Sequence, residues 1–147
     1  AVLPRSHDVA LRRAIFLTRE LYEAVHGQHS SDAETTRYAV LQAQLEVFVG
    51  DEVIASSYMK PLSPRNKGVW EIKNKRPKPS LRVFGLFASR DVFIGTHHQL
   101  RPPLGRFGTP MWKEQIRVAR YQWRQLFGDS EPLIGELNEV ISGAVYV

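Results

Sequence analysis

The chain contains no cysteine. That excludes disulfides, thiolate metal sites and a cysteine nucleophile. No run approaches the roughly 20 consecutive apolar residues needed to cross a bilayer, so no membrane partner is expected. Residues 1–8 lack the apolar core of a secretion signal, and a cytoplasmic location is the expectation. Acidic residues are scarce in one place only. From Lys60 to Arg124 stand fifteen Lys or Arg and three acids (Glu71, Asp91 and Glu114), a surplus of twelve positive charges. The remainder holds five bases and twelve acids, a deficit of seven, so the whole-chain charge of +5 conceals a divided sequence. A fold that gathers such a stretch builds a field that attracts polyanions. Common catalytic signatures are missing as well: a phosphate-cradling glycine loop, a G-x-S-x-G elbow and H-E-x-x-H. The shortage of carboxylates argues against a two-metal nuclease, and no cofactor, metal or small-molecule ligand is expected.

What is present fits one domain spanning residues 1–147, with 43% hydrophobic residues to build a core. Near-helical spacing of Ile15, Leu17, Leu21, Tyr22 and Val25 predicts a helix over 8–26, capped by Asp8 and stopped by a left-handed Gly27. A second helix is predicted from Ser31, where Ser31-Asp32-Ala33-Glu34 reads as a capping box, to Gly50. Strands are predicted over 68–73, with Trp70 and Ile72 on one face and Glu71 and Lys73 on the other, and over 81–87 and 91–97, with a fourth extended segment over 53–59. The run over 81–87 is apolar on both faces and reads as the central strand. Thr109-Pro110 starts a helix to Phe127, ended by Gly128, and a last helix is predicted over 132–142. The fold class is therefore α+β: an N-terminal helical hairpin, a small antiparallel sheet of three to four strands, and C-terminal helices.

The densest chemical constellation is Lys73-Asn74-Lys75-Arg76-Pro77-Lys78-Pro79, followed by Arg82 inside the apolar strand. Cations on a proline-stiffened connection suit the phosphates of a nucleic-acid strand; the plain alternative is a solvated hairpin tip. Arg65 and Lys67 belong to the preceding basic loop. A guanidinium in a central strand needs an ion pair or a phosphate, which singles out Arg82. His97 and His98 end the third strand, with Arg101 beyond them. Alternation sends the two rings to opposite faces, so they do not form a metal site, and one of them is left to exchange protons near neutral pH. His26 and His29 read as plain loop residues.

The order Met59-Lys60-Pro61-Leu62, Gly68-Val69-Trp70-Glu71-Ile72-Lys73, Leu81-Arg82-Val83-Phe84, Val92-Phe93-Ile94 and a helix at Thr109-Pro110 resembles the RelE/HigB-like toxin superfamily. The resemblance covers residues 59–127, with a helical hairpin before it. It implies a toxin of a type II toxin–antitoxin system, a ribosome-dependent endoribonuclease that cuts mRNA. There the RNA 2′-hydroxyl attacks the adjacent phosphate and cations stabilise the phosphorane. On that reading Arg82 clamps phosphate, and Lys73 and Arg101 join it in the catalytic set with His97 and His98 as acid/base candidates. Lys75, Arg76, Lys78, Lys67 and Arg65 bind RNA. The implied partners are a cognate antitoxin protein and RNA on the ribosome. The chain departs from the pattern in having Lys73 for the commoner arginine, Leu81 for the usual tyrosine, and no tyrosine between Tyr58 and Tyr121. A strand normally precedes the hairpin, and only residues 1–3 offer one. Two other readings stand beside it: a toxin of this architecture that blocks a protein such as a replication component, and a non-toxic RNA- or DNA-binding module.

Overall fold

Residues 12–147 are described by a computed structural model. Strand β1 (Ala14–Leu17) leads into α1 (Arg19–His26) and α2 (Asp32–Gly50). Short strands β2 (Ile54–Ala55) and β3 (Met59–Pro61) follow, then β4 (Trp70–Asn74), β5 (Leu81–Ser89) and β6 (Val92–Leu100). Helix α3 (Pro110–Phe127), the single turn α4 (Leu137–Val140) and β7 (Ala144–Val145) complete the order.

The class is α+β, and β5 is the middle strand of the sheet, flanked by β4 and β6. The sheet has five strands in the order β1-β6-β5-β4-β3, and it is mixed rather than antiparallel. Strands β3 to β6 form the expected antiparallel meander. Strand β1 runs parallel to β6, with Ala14 opposite Val92 and Leu17 opposite Gly95. A separate two-stranded pairing joins β2 and β7 in parallel.

The predicted helix over 8–26 is therefore corrected: its described part is a strand followed by a two-turn helix. The free edge of β6 offers backbone partners to residues 14–17, and Gly95 leaves room for Leu17 and Leu21, whose methyls lie 2.8 and 3.1 Å from where a Cβ would stand. The cap is Thr18, whose Oγ1 accepts from the Leu21 N–H at 3.4 Å and donates to the Thr96 carbonyl at 2.8 Å. The proposed cap at Asp8 and the strand at residues 1–3 lie outside the described residues. Gly27 ends α1, but its φ of −78° is not left-handed. Glycine is required by close approach, because a Cβ there would lie 2.5 Å from the Glu23 carbonyl oxygen. The helices thus follow a strand instead of opening the described fold. In α2 the Ser31 hydroxyl accepts from the Glu34 N–H at 3.2 Å, while the Glu34 carboxylate takes the Ser30 hydroxyl instead of closing the box.

The predicted helix over 132–142 shrinks to α4. Leu133 donates its N–H to the Phe87 carbonyl at 2.8 Å, which pulls residues 132–134 into a bridge beside the sheet.

Two apolar layers result. One face of the sheet, with Ile72, Val83 and Phe93, packs against Leu21, Val25, Leu41, Leu45 and Phe48 of α1 and α2. The other, with Phe84, Leu86 and Ile94, packs against Trp112, Ile116, Ala119 and Trp123 of α3. Helix α3 matches its predicted bounds because its apolar stripe and its Thr-Pro start agree. Burying several large side chains at about 25 cal/mol per Å² is what holds each layer. No described helix is long and apolar enough to cross a membrane.

Candidate nucleic-acid interface

Alternation along β4 places Trp70 and Ile72 toward α1 and α2, and Glu71 and Lys73 on the α3 side. Cross-strand register then sets two rows on that face. The first is Lys60, Glu71, Phe84 and His97; the second is Lys73, Arg82 and Gln99. Glu71 is completely buried, and neither carboxylate oxygen accepts a hydrogen bond among the described residues. Its nearest cation is Arg82, with Nε 3.8 Å from Oε1. Burial raises the Glu71 pKa above the ordinary carboxylate range, while Arg82, Lys60, Lys73 and Arg101, in that order, pull it down. In the register Lys60 stands opposite Glu71 and Arg82 opposite Lys73, so three cations border this carboxylate, with Arg101 just past the end of β6.

Each cation is held differently. Arg82 Nη1 donates to the Leu81 carbonyl at 3.1 Å, the Ser80 hydroxyl at 3.3 Å and the Asn74 carbonyl at 3.4 Å, while its buried Nε has no acceptor. Arg101 Nη1 donates to the Gly105 carbonyl at 2.9 Å, and its guanidinium lies 5.2 Å from the Trp112 ring centre and 5.3 Å from that of Phe107. Lys60 Nζ sits 3.5 Å over Phe107. Desolvation lowers the Lys73 pKa, with Glu71 opposing it. An under-satisfied charged cluster of this kind differs from ordinary core packing, where buried polar groups are paired. Its excess of positive charge suits a phosphodiester.

The histidines point to opposite faces, as alternation requires. His97 is packed under α3. Its Nε2 meets Gln115 Oε1 at 2.9 Å, its Nδ1 meets Thr96 Oγ1 at 3.0 Å, and the ring stacks on Phe84 at 4.9 Å. Burial pushes its pKa down to about 4. The Thr96 hydroxyl also donates to the Phe84 carbonyl at 3.1 Å. His98 turns to the other layer, where Nε2 meets the Tyr38 hydroxyl at 2.9 Å, and burial lowers its pKa too. His29 stacks on the same Tyr38 at 4.3 Å and reaches the Ala24 carbonyl at 2.8 Å, so it is tied down and not a plain loop residue. His26 belongs to the last turn of α1. Both ring nitrogens of His97 are engaged, and His98, engaged at Nε2, lies on the face opposite the cations.

The remaining predicted cations divide. Lys75, Arg76 and Lys78 are exposed on the β4–β5 loop, next to the cluster in sequence. Lys75 and Arg76 border a cavity of about 510 Å³ with Asn74, Tyr58 and Ile54. Arg65 is paired with Glu136 at 2.7 Å, and Lys67 lines a different groove beside α3. Sequence reasoning did not single out Lys60, Glu71, Phe107 or Trp112 as site residues. The alternation of β4 already placed Glu71 beside Lys73, but the β3–β4 register that sets Lys60 opposite Glu71 carries no local signal. Protein-family models, curated proteins and solved structures were compared with the chain, and none matched.

Proposed function

We propose that this chain is a RelE/HigB-like toxin that acts on RNA through the cations at the sheet end. The observation that carries the reading is the sheet register, which groups Lys60, Lys73 and Arg82 beside buried Glu71, with Arg101 just past the end of β6. A strand, two helices, an antiparallel meander and a covering helix are the element order that the resemblance implies, which supports it further. In this reading the 2′-hydroxyl of RNA gives its proton to water as its oxygen attacks the adjacent phosphorus, the bond to the 5′-oxygen breaks with that oxygen taking a proton from water, and the transient extra negative charge meets cations already fixed in place. Lys73 and Arg101, both partly exposed, touch the phosphate. Arg82, mostly covered, is held by Glu71 and the 74–81 carbonyls and supplies charge from behind. Glu71 has no exposed surface and acts as a positioning residue.

The engaged histidines favour a second reading, in which the toxin binds its target without cutting RNA. Controlled expression followed by mapping of cellular mRNA 5′ ends separates the two. New ends that appear with the wild type and vanish in Lys73→Ala and Arg101→Ala support cleavage at this cluster. Growth arrest with no new ends selects the non-nucleolytic reading. Harmless expression of the folded protein would sink both.

A further inference from the structure

Helix α3 carries a second cationic surface that the sheet-end cluster does not use. Lys113, Arg117, Arg120 and Arg124 recur on one helical face and, with Lys67 from the β3–β4 loop, border a groove of about 510 Å³. Tyr121, 55% exposed, stands at its rim. Two of the cations are fixed by neighbours. Arg117 makes two bonds to the Glu114 carboxylate at 2.8 and 2.6 Å. Arg120 donates to the Lys67 carbonyl at 2.9 Å and to Glu131 at 3.3 Å, which ties α3 to the opposite wall. Lys67, Lys113 and Arg124 have no carboxylate within ion-pair distance among the described residues.

The groove connects to the sheet-end cluster. Ile116 lines both the groove and a small cavity of about 90 Å³ bordered by Lys60, Phe107 and Trp112. The chain from Lys60 to Pro64 runs along the same path, from the cluster to the groove.

We infer that the α3 groove binds a single RNA strand through its phosphate backbone, with Tyr121 stacking on a base, as an extension of the sheet-end site. From Lys113 to Arg124 the helix rises about 16 Å, long enough to face several phosphates of one strand. A positive groove with an exposed aromatic ring is the arrangement that holds single strands without reading sequence. The inference rests on the RNA reading of the sheet-end cluster but not on cleavage.

Fluorescence anisotropy with a short labelled oligouridylate tests it, on full-length protein over a range of salt. Lys113→Ala/Arg124→Ala, at two exposed positions, should weaken binding about tenfold or more at low salt. It should also reduce the slope of log affinity against log salt by about 1.4, the share of two single-strand phosphate contacts. Tyr121→Ala should weaken binding about fivefold or more, with the salt slope unchanged. Lys73→Ala serves as the reference for the sheet-end cluster. Loss in Lys73→Ala but none in the groove variants overturns the groove while leaving the cluster intact. Loss in the groove variants alone supports the groove and counts against the cluster. A poly-glutamate peptide that displaces the oligouridylate as well as unlabelled RNA does would overturn the RNA assignment in favour of an acidic protein segment.

Discussion

Glu71 is a fully buried carboxylate that accepts no hydrogen bond from the described residues, so surrounding charge is what favours its ionised form. Removing Arg82 leaves that charge unopposed at short range. Arg82→Ala should cost about 3 kcal/mol in urea unfolding, while Glu71→Gln, which removes a carboxylate whose charged form burial disfavours, should be tolerated much better. The double variant Glu71→Gln/Arg82→Ala should lose far less than Arg82→Ala alone, a coupling that a double-mutant cycle reads directly. His97 makes a pH prediction of the opposite kind. Its folded pKa lies near 4 and its unfolded value near 6.5, so the unfolded chain binds the extra proton first. Stability from this site is complete above about pH 6.5 and is lost as pH falls toward 4, by about 3 kcal/mol at most. Glu71, with its pKa raised, works in reverse and relaxes as pH falls. Urea midpoints from pH 7 to pH 4 should therefore drop more steeply in Glu71→Gln than in wild type, and flatten in His97→Gln. A parallel RNA-cleavage assay should find His97→Gln active. Residue identities announced the basic cluster, but nothing in the sequence said that Glu71 would be buried at its centre.

Strands and helices were legible where local signals agreed with tertiary demand. Helix α3 has a Thr-Pro start, an apolar stripe through Trp112, Ile116, Ala119 and Trp123, and a glycine stop, and it keeps its predicted bounds. The alternation of Trp70, Glu71, Ile72 and Lys73 gave both faces of β4 correctly. Residues 14–17 were misread because Ile15 and Leu17 fit the helical spacing of Leu21 and Val25. What makes them a strand is the unpaired edge of β6, which lies far away in sequence. Residues 132–142 failed for a related reason, since Leu133 finds its partner on β5. Between β5 and β6 the register shifts after Phe84, and Gly85 sits at that irregularity. A Cβ there would overlap the Ile94 carbonyl oxygen and lie 2.5 Å from Phe93 Cζ. Neither backbone nor a packed ring can retreat cheaply. Gly85→Ala should therefore destabilise by about 3 kcal/mol or more, seen as a lower thermal midpoint, whereas Gly50→Ala, with nothing within 4 Å, should be neutral or slightly stabilising.

Over the whole molecule, positive charge is divided between a sheet end and a helix face, and a buried arginine ties distant segments of the fold together. Arg13 Nε donates to the Phe48 carbonyl at 2.5 Å, Nη1 donates to Ser142 at 2.6 Å, and Nη2 donates to the Asp51 carbonyl. Its guanidinium also lies 5.7 Å from the Phe48 ring centre. Arg13→Met removes the donors to the Phe48, Asp51 and Ser142 carbonyls and should lower stability by about 3 kcal/mol, measured by urea unfolding, with α3 groove binding unchanged at low denaturant. The Arg13–Ser142 bond spans 129 positions of sequence, and β1 waits for β6 in the same way. Strand β1 therefore closes only after residues 92–95 have been made, and this arginine is fully seated only after Ser142 has been made. Every strand of the five-stranded sheet precedes Ser142 in the sequence, so the segment that completes the seating of this arginine arrives after the sheet that it braces.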